Sequence, residues 1–256
     1  MTDEKHVSMG SGCAEDCGGI HTGGCDGSPR GALTERLRWV NRGLEAMYGP
    51  KPLRPHGDPV GELVHTILTQ NTSDVNSDRT YASLRDAFSS WEDVADAPAA
   101  VIADLIRVGG LAEIKSARIV EVLRRIREEQ GSISLDMLGG IDDKEAFGYL
   151  TSLPGVGPKT AACVLLFALG RPVFPVDTHV HRVSNRLGLV HTKDLAETQA
   201  ELARAMPADI TYQLHMNMVT HGRRTCHARK PACDLCQVRP GCQAALDSGE
   251  GPLRSD

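Results

Sequence analysis

The sequence is poor in aromatic side chains, which make up 4% of its 256 residues, so its core must consist mainly of leucine, valine, isoleucine and alanine. It contains no apolar run approaching about 20 residues, which argues against a membrane-spanning helix. The N-terminal stretch MTDEKHVSMGSG lacks the apolar core of a secretion signal. These absences predict a cytoplasmic protein without a membrane partner, associated with the nucleoid if the cell is bacterial.

An excess of positive charge is also missing, because the formal net charge is −5. That balance does not suggest a nucleic-acid partner, but the charge is unevenly distributed. Residues 1–32 carry five acids against two bases, whereas the segment HGRRTCHARK concentrates Arg223, Arg224, Arg229 and Lys230. Local patches rather than net charge attract a phosphate backbone. The composition therefore permits DNA binding without requiring it.

The alternation typical of strands and the turn signals of hairpins are absent along the chain. Instead, Leu33, Leu37, Val40, Leu44 and Met47 lie at the spacing of one helix face. A second helix is predicted to begin at residue 59, with an aspartate cap and a proline at its first position. Six further helical segments follow, over 99–108, 116–126, 144–153, 159–169, 178–190 and 194–206. We therefore predict an all-α fold.

Residues 1–32 are rich in glycine and serine and show no hydrophobic periodicity, which predicts a disordered tail. The tail contains Cys13, Cys17, His21 and Cys25. Their spacing fits no closed metal site, so the tail interpretation is favoured over a metal centre.

Four cysteines near the C-terminus, Cys226, Cys233, Cys236 and Cys242, have the spacing C-x6-C-x2-C-x5-C. Disulfides are disfavoured in the cytosol, and crowded thiolates need a metal to offset their repulsion. Zinc suits four thiolates, but its sites usually pair two short loops and only one is present here. Longer, uneven loops fit an iron–sulfur cluster better, so the spacing ranks a cluster ahead of zinc and leaves zinc open.

The segment LPGVGPKTAACVLL combines a glycine- and proline-rich turn with a helix start. Gly155 and Gly157 are predicted to adopt positive φ or to approach a ligand closely, and the N–H groups of such a turn suit a phosphate. A plain connection stiffened by prolines is the structural alternative. Lys159 lies where a helix dipole disfavours a cation. A neutral amine there would be a nucleophile able to form a Schiff base.

The segment FPVDTHVHRV places Asp177 directly before a helix, where capping is the ordinary role of an aspartate. Alternatively, the carboxylate could assist a nearby lysine or stabilise positive charge developing on a sugar. The sequence does not determine whether Lys159 and Asp177 face one another. His179, two residues further on, is either a neighbour of the site or a partly buried histidine.

Together, LPGVGPKTA, VDTHVHRV and the terminal cysteine spacing resemble the endonuclease III family of helix–hairpin–helix DNA glycosylases, over about residues 33–243. The resemblance implies a six-helix barrel with the helix–hairpin–helix at 52–171, a [4Fe–4S] cluster domain from 33–51 and 172–256, and DNA between them. It implies that Lys159 attacks the sugar C1′ and that Asp177 is the catalytic aspartate. It also implies a monomer that binds double-stranded DNA containing damaged bases or abasic sites, with the four terminal cysteines holding the cluster.

The same resemblance assigns two residues that would fill the gap left by a flipped base. ILTQNTSD points to Gln70, and GGLAEIKSARI points to Leu111. Extruding a nucleotide costs a few kcal/mol, and filling the gap recovers part of that cost. Without the family, Gln70 would be interpreted as a polar helix end and Leu111 as a core leucine. Relatives that remove only adenine from mispairs carry a glutamate where this chain has Thr66, which argues against that specialisation.

Two residues depart from the family pattern: Pro158 replaces a basic residue, and Ser73 extends the loop before Asp74. The leading hypothesis is a bifunctional base-excision-repair glycosylase and abasic-site lyase for oxidised pyrimidines. The alternatives are a glycosylase with weak lyase activity and a non-catalytic, metal-stabilised DNA-binding module. Cys163, in an apolar helix, is predicted to be a small core residue.

Overall fold

The computed structural model describes residues 28–249. In this part of the chain the backbone forms α-helices and no strand, which confirms the predicted all-α class. The α-helices are α1 (Pro29–Tyr48), α2 (Pro59–Leu68), α3 (Asp74–Ala87), α4 (Trp91–Asp96), α5 (Ala99–Ile106), α6 (Ala112–Gln130), α7 (Asp143–Ser152), α8 (Pro158–Cys163), α9 (Thr178–Arg186), α10 (Leu195–Ala203), α11 (Thr211–Arg224) and α12 (Gln243–Asp247). No helix in the described range is long and apolar enough to cross a membrane.

Short 3₁₀ segments and one π-helical turn connect or extend these helices. The π turn, Val164–Ala168, continues directly from α8. The 3₁₀ segments are Arg107–Gly109, Asp136–Gly140, Ala208–Ile210, Cys233–Leu235 and Arg239–Gly241.

The first helix begins earlier than the sequence suggested. The Ser28 side chain caps α1 by accepting a hydrogen bond from the Gly31 amide at 3.1 Å, and a proline occupies the first helical turn. The predicted tail boundary at residue 32 is therefore wrong by four residues. The remainder of the predicted tail, with its three cysteines and His21, lies outside the described residues.

Buried apolar side chains form two separate clusters. One extends from Val60 to Leu165 and is built from α2–α8 and the π turn. The other combines α1 with residues of α9, α10 and α11 and with Val238. On this basis we propose the domain division given above, with a barrel at 52–171 and a second domain formed by 33–51 and 172–256.

Helix α11 was absent from the segments selected on the sequence, although it packs against both α1 and α9. Its buried face includes Leu214 and Met218, but also His215, Asn217 and His221. Polar groups on a buried face weaken the apolar periodicity that identifies a helix. This omission matters for function, because α11 forms one wall of the cleft described next.

Candidate active site and cysteine site

A cleft of about 700 Å³ lies where α2, α8 and α11 meet. Lys159 and Cys163 of α8 line it on one side, and Tyr212 and Met216 of α11 line it on another. Glu62 contributes from α2. The cleft therefore combines the predicted nucleophile with apolar and polar side chains from α2, α8 and α11.

The turn before α8 sets the position of Lys159. The Val156 amide donates to the Leu153 carbonyl at 3.1 Å, and Gly155 adopts a φ of +72°. Gly155 thus has the positive φ that was one of the two predicted alternatives. Gly157 is the N-cap with a φ of −93°, so only the other alternative, close approach to a ligand, stays a prediction for it. Pro158 occupies the first helical turn, because its fixed φ suits a helix start. Lys159 follows it, half-buried at the edge of the cleft.

Lys159 and Asp177 belong to one electrostatic neighbourhood. Burial raises the pKa of the Cys163 thiol to about 11; the charge of Lys159 opposes this shift, and that of Asp177 adds to it. The same two charges act in opposite directions on the pKa of His215. The two charges therefore act on the same two buried groups.

Asp177 also has the structural role that its position suggested. Its Oδ1 caps α9 by accepting a hydrogen bond from the Val180 amide at 2.8 Å. This bond fixes the carboxylate at the start of a helix whose inner face is buried. Capping and a role in the site are therefore compatible, since the cap uses one of the two carboxylate oxygens.

His215 links α11 to the segment that carries Asp177. Its Nδ1 lies 3.0 Å from the carbonyl oxygen of Pro175, and the rings of Phe167 and Phe174 meet the imidazole edge-on. Burial lowers the pKa of His215 to about 4, so the ring is neutral near pH 7. A neutral ring donates to Pro175 through Nδ1–H and supports the backbone two residues before Asp177.

Asp74 and Arg223 form an ion pair that was not predicted from the sequence. The Arg223 side chain donates two hydrogen bonds to the Asp74 carboxylate, at 2.5 and 3.0 Å. The arginine lowers the pKa of Asp74, and Lys159 contributes in the same direction. Asp74 is the first residue of α3, and Ser73 is the N-cap of that helix. Ser73, which lengthens the loop relative to the family pattern, therefore also caps α3.

The predicted gap-filling residue Gln70 is held by a neighbour. Its side-chain oxygen accepts a hydrogen bond from Arg118 at 3.1 Å. The next residue, Asn71, is exposed and adopts a φ of +52°. Arg118 also packs against the hairpin, since a Cβ at Gly155 would lie within 3 Å of its side chain. The arginine thus connects the Gln70 loop with the turn before Lys159.

The structure rules out a core position for Leu111. Its side chain is 46% exposed and its φ is +52°. A left-handed, exposed leucine is rare unless the surroundings impose the conformation. His179, by contrast, packs against Gly222 of α11 and accepts a hydrogen bond from Arg182 at 3.2 Å. Its assignment to DNA binding stays a prediction.

A partly buried carboxylate lies one helical turn before Thr66. Glu62 Oε1 accepts a hydrogen bond from the Thr66 hydroxyl at 3.0 Å, and Glu62 Oε2 lies 3.1 Å from His56 Nε2. The sequence argument considered only position 66. The spacing of four residues between Glu62 and Thr66 was the signal that could have identified this pair, because such residues share a helix face.

The four terminal cysteines surround a common cavity of about 280 Å³. The side chains of all four are partly exposed. Within residues 28–249, no set of three or more His, Cys, Asp or Glu side chains converges on a point suited to a single ion.

Polar groups surround these thiols. The Arg186 side chain donates to Cys226 Sγ at 3.3 Å, and the Cys242 thiol contacts the Arg186 carbonyl at 3.3 Å. His221 Nε2 lies 3.7 Å from Cys236 Sγ. Burial raises the pKa of Cys236 to about 11, so a thiolate there requires a compensating metal charge.

Comparison with known proteins agrees with this geometry. The family described as HhH-GPD superfamily base excision DNA repair protein matches residues 64–208, and the chain belongs to that superfamily. An endonuclease III from Thermotoga maritima is 35% identical over 198 residues, which are 77% of this chain and 89% of that protein. Within the superfamily, the chain is a member of the endonuclease III family of DNA glycosylases.

Two further matches bear on coverage and fold. An Arabidopsis thaliana protein named as a candidate DNA glycosylase is 40% identical over 169 residues, and the chain spans 58% of its length. A trapped covalent intermediate of endonuclease III with DNA superposes with a TM-score of 0.71 and 26% identity, covering 84% of this chain and 98% of that one. The cleft of this protein thus belongs to a fold that is known in complex with DNA.

Proposed function

We propose that this protein is a bifunctional DNA glycosylase and abasic-site lyase that removes oxidised pyrimidines from duplex DNA. One observation carries the proposal. Lys159 emerges from the hairpin helix into a cleft, in the same electrostatic neighbourhood as the helix-capping carboxylate of Asp177.

The residues support a covalent route. Nζ of Lys159 attacks C1′ of the damaged nucleotide through its nitrogen lone pair, and the bond from C1′ to the base breaks as the base leaves with the bonding electrons. Opening of the sugar ring then gives an imine between Lys159 and C1′. Loss of a C2′ proton expels the 3′ phosphate, which cuts the strand, and water hydrolyses the imine to restore the amine. Asp177 stabilises the positive charge that develops on the sugar during base departure.

The cleft suits a flipped base of modest size. Phe167 and Tyr212 meet edge-on with ring centroids 5.8 Å apart, which provides an apolar wall. Glu62 and Thr66 contribute hydrogen-bonding groups to the same cleft. An oxidised pyrimidine has both a ring face and a polar edge, so it matches these two kinds of wall.

DNA contacts are proposed for the residues around the cleft. Gly155 and Gly157 present the exposed hairpin turn to a backbone phosphate. Gln70 and Leu111 enter the gap left by the extruded nucleotide. His179 completes the proposed DNA contacts near Asp177.

Cys226, Cys233, Cys236 and Cys242 would hold a [4Fe–4S] cluster, a group common in the endonuclease III family. The cavity that the four side chains share supports this assignment. When bound, the cluster would cross-link the C-terminal segment and so fix α11 behind Lys159. The lysine route involves no oxidation or reduction, so it does not need the cluster as an electron carrier.

A strand-cleavage and base-release assay tests the proposal with a duplex containing thymine glycol. We expect the wild type to release the base and cut the strand, and Lys159→Gln to do neither. Lys144→Gln, which replaces an exposed lysine on α7, is the matched control and should retain both activities. Base release without cleavage would instead identify a monofunctional glycosylase. Salt-sensitive binding without turnover on any lesion or abasic site would identify a DNA-binding module.

A further inference from the structure

Lys115 in α6 is the largest fully buried side chain in the described part of the chain, at 2% exposure. It forms no ion pair with a carboxylate of residues 28–249, and burial lowers its pKa. Removing an ammonium group from water costs several kcal/mol unless other groups compensate. An apolar residue of similar size would fill the same space, so a feature other than packing must explain the lysine.

The ammonium group of Lys115 binds two carbonyl oxygens from two different segments. Nζ donates to Leu68 at 2.8 Å and to Gly109 at 2.9 Å. Leu68 is the last residue of α2, and Gly109 is the last residue of the Arg107–Gly109 3₁₀ segment. Carbonyl groups at such ends lack a partner within their own helix and carry the negative end of its dipole. A buried cation is therefore well suited to bind both ends at once.

Each of these carbonyls lies shortly before an exposed residue with a strained backbone. Asn71 follows Leu68 by three positions, and Leu111 follows Gly109 by two; both have a φ of +52°. Such a conformation is unfavourable for a non-glycine residue and persists only where the surroundings enforce it. Lys115 is the common anchor of the two loops that bear these residues.

We propose that Lys115 is a positioning residue for base extrusion, which fixes the loop carrying Gln70 and Asn71 against the loop carrying Leu111. The inference rests on the proposed function, because it assigns these two loops to the gap in the duplex. The two loop tips enter the gap from a common buried anchor, so a displacement of one tip alters the position of the other. Misplacement of such groups by about 1 Å can lower a rate by about 100-fold.

The test compares a lesion that must be extruded with one that is already outside the helix. The first substrate is a duplex with a paired thymine glycol, and the second carries the same lesion as a single bulged nucleotide with no opposing base. For Lys115→Met we expect the single-turnover rate to fall about 10- to 100-fold on the paired lesion and by less than about threefold on the bulged one. Leu123→Ala, a cavity variant in the barrel core, controls for lost stability and should affect both substrates equally.

A second variant covers the case in which Lys115→Met does not fold. Gly109→Ala leaves the lysine in place, but its new Cβ would lie 2.9 Å from Thr80 Cγ2 and so displace the Gly109 carbonyl. The same selective loss on the paired lesion is expected. Equal losses on both substrates, or no loss on either, would overturn the positioning role. A wild type that turns over neither substrate would overturn the proposed function, and this inference with it.

Discussion

Asp74 and Arg223 form a two-pronged ion pair that joins α3 to α11, close enough to Lys159 and Asp177 to respond to their charges. Asp74, the direct partner, raises the pKa of Arg223, and the charge of Asp177 contributes in the same direction. The pair therefore connects the two halves of the cleft at the point where the proposed chemistry takes place.

Disruption of this pair should affect turnover more than stability. Both side chains are about half-exposed or more, so Arg223→Gln should change the free energy of unfolding by no more than about 1 kcal/mol. We expect the single-turnover rate on a thymine glycol duplex to fall about tenfold, because the cleft walls lose a fixed contact. Asp74→Asn should reproduce the effect. Denaturant unfolding and rapid-quench kinetics check the two parts, and a large stability loss at unchanged rate would contradict the interpretation.

Leu111 should contribute to activity without contributing to the core. Since its side chain is exposed and its φ is positive, Leu111→Gly removes strain and should leave stability unchanged or raise it by up to about 1 kcal/mol. Its turnover of a paired lesion should fall about tenfold, because the gap in the duplex is then left unfilled. Thermal unfolding together with single-turnover kinetics tests this combination. Destabilisation by more than 2 kcal/mol would mean that the leucine packs in the core after all.

His215 should make the protein less stable in mild acid. Its folded pKa is about 4, below the ordinary 6.5, so between these two values the unfolded chain binds one more proton than the folded one. The stabilisation is complete above pH 6.5 and is lost as the pH falls towards 4, by roughly 3 kcal/mol in total.

Urea unfolding at pH 7.0 and at pH 4.5 measures this effect in the wild type and in His215→Gln. The variant should lose less stability than the wild type over this interval, because its side chain does not titrate. An equal loss of stability between pH 7.0 and pH 4.5 in the two proteins would show that His215 is not buried in its neutral form.

The terminal cysteines should bind iron and Cys163 should not. Purified wild-type protein is expected to be brown and to contain iron and acid-labile sulfide, whereas Cys236→Ser should lose most of both. Cys163→Ala is the matched control, because that thiol is buried in α8 and far in sequence from the terminal four. Metal analysis that finds zinc and no sulfide would replace the cluster with a tetrahedral zinc site.

The helical class followed from the sequence, because apolar residues at helical spacing are a local property. The capping role of Asp177 and the start of α2 at Pro59 are also local and were predicted. By contrast, the φ of Gly157 depends on how the hairpin turns, and neither glycine's neighbours in the sequence distinguish it from the other.

Contacts between segments that are distant in the chain could not be predicted from the sequence. Lys115 reaches a carbonyl 47 residues away, and Arg223 pairs with an aspartate 149 residues away. Neither spacing has a period or motif that would identify it. Because polar residues lie on the buried face of α11, neither that helix nor the position of His215 beside the cleft was predicted.

Borohydride trapping followed by peptide mapping determines whether Lys159 is the amine that bonds to the sugar. Wild-type protein mixed with an abasic-site duplex and sodium borohydride should give a stable adduct, with the cross-linked sugar located by mass spectrometry on the peptide that contains Lys159. Lys159→Gln should give no adduct, and Lys144→Gln should give as much as the wild type. An adduct located on another amine, or the absence of any adduct while strand cleavage continues, would contradict the account.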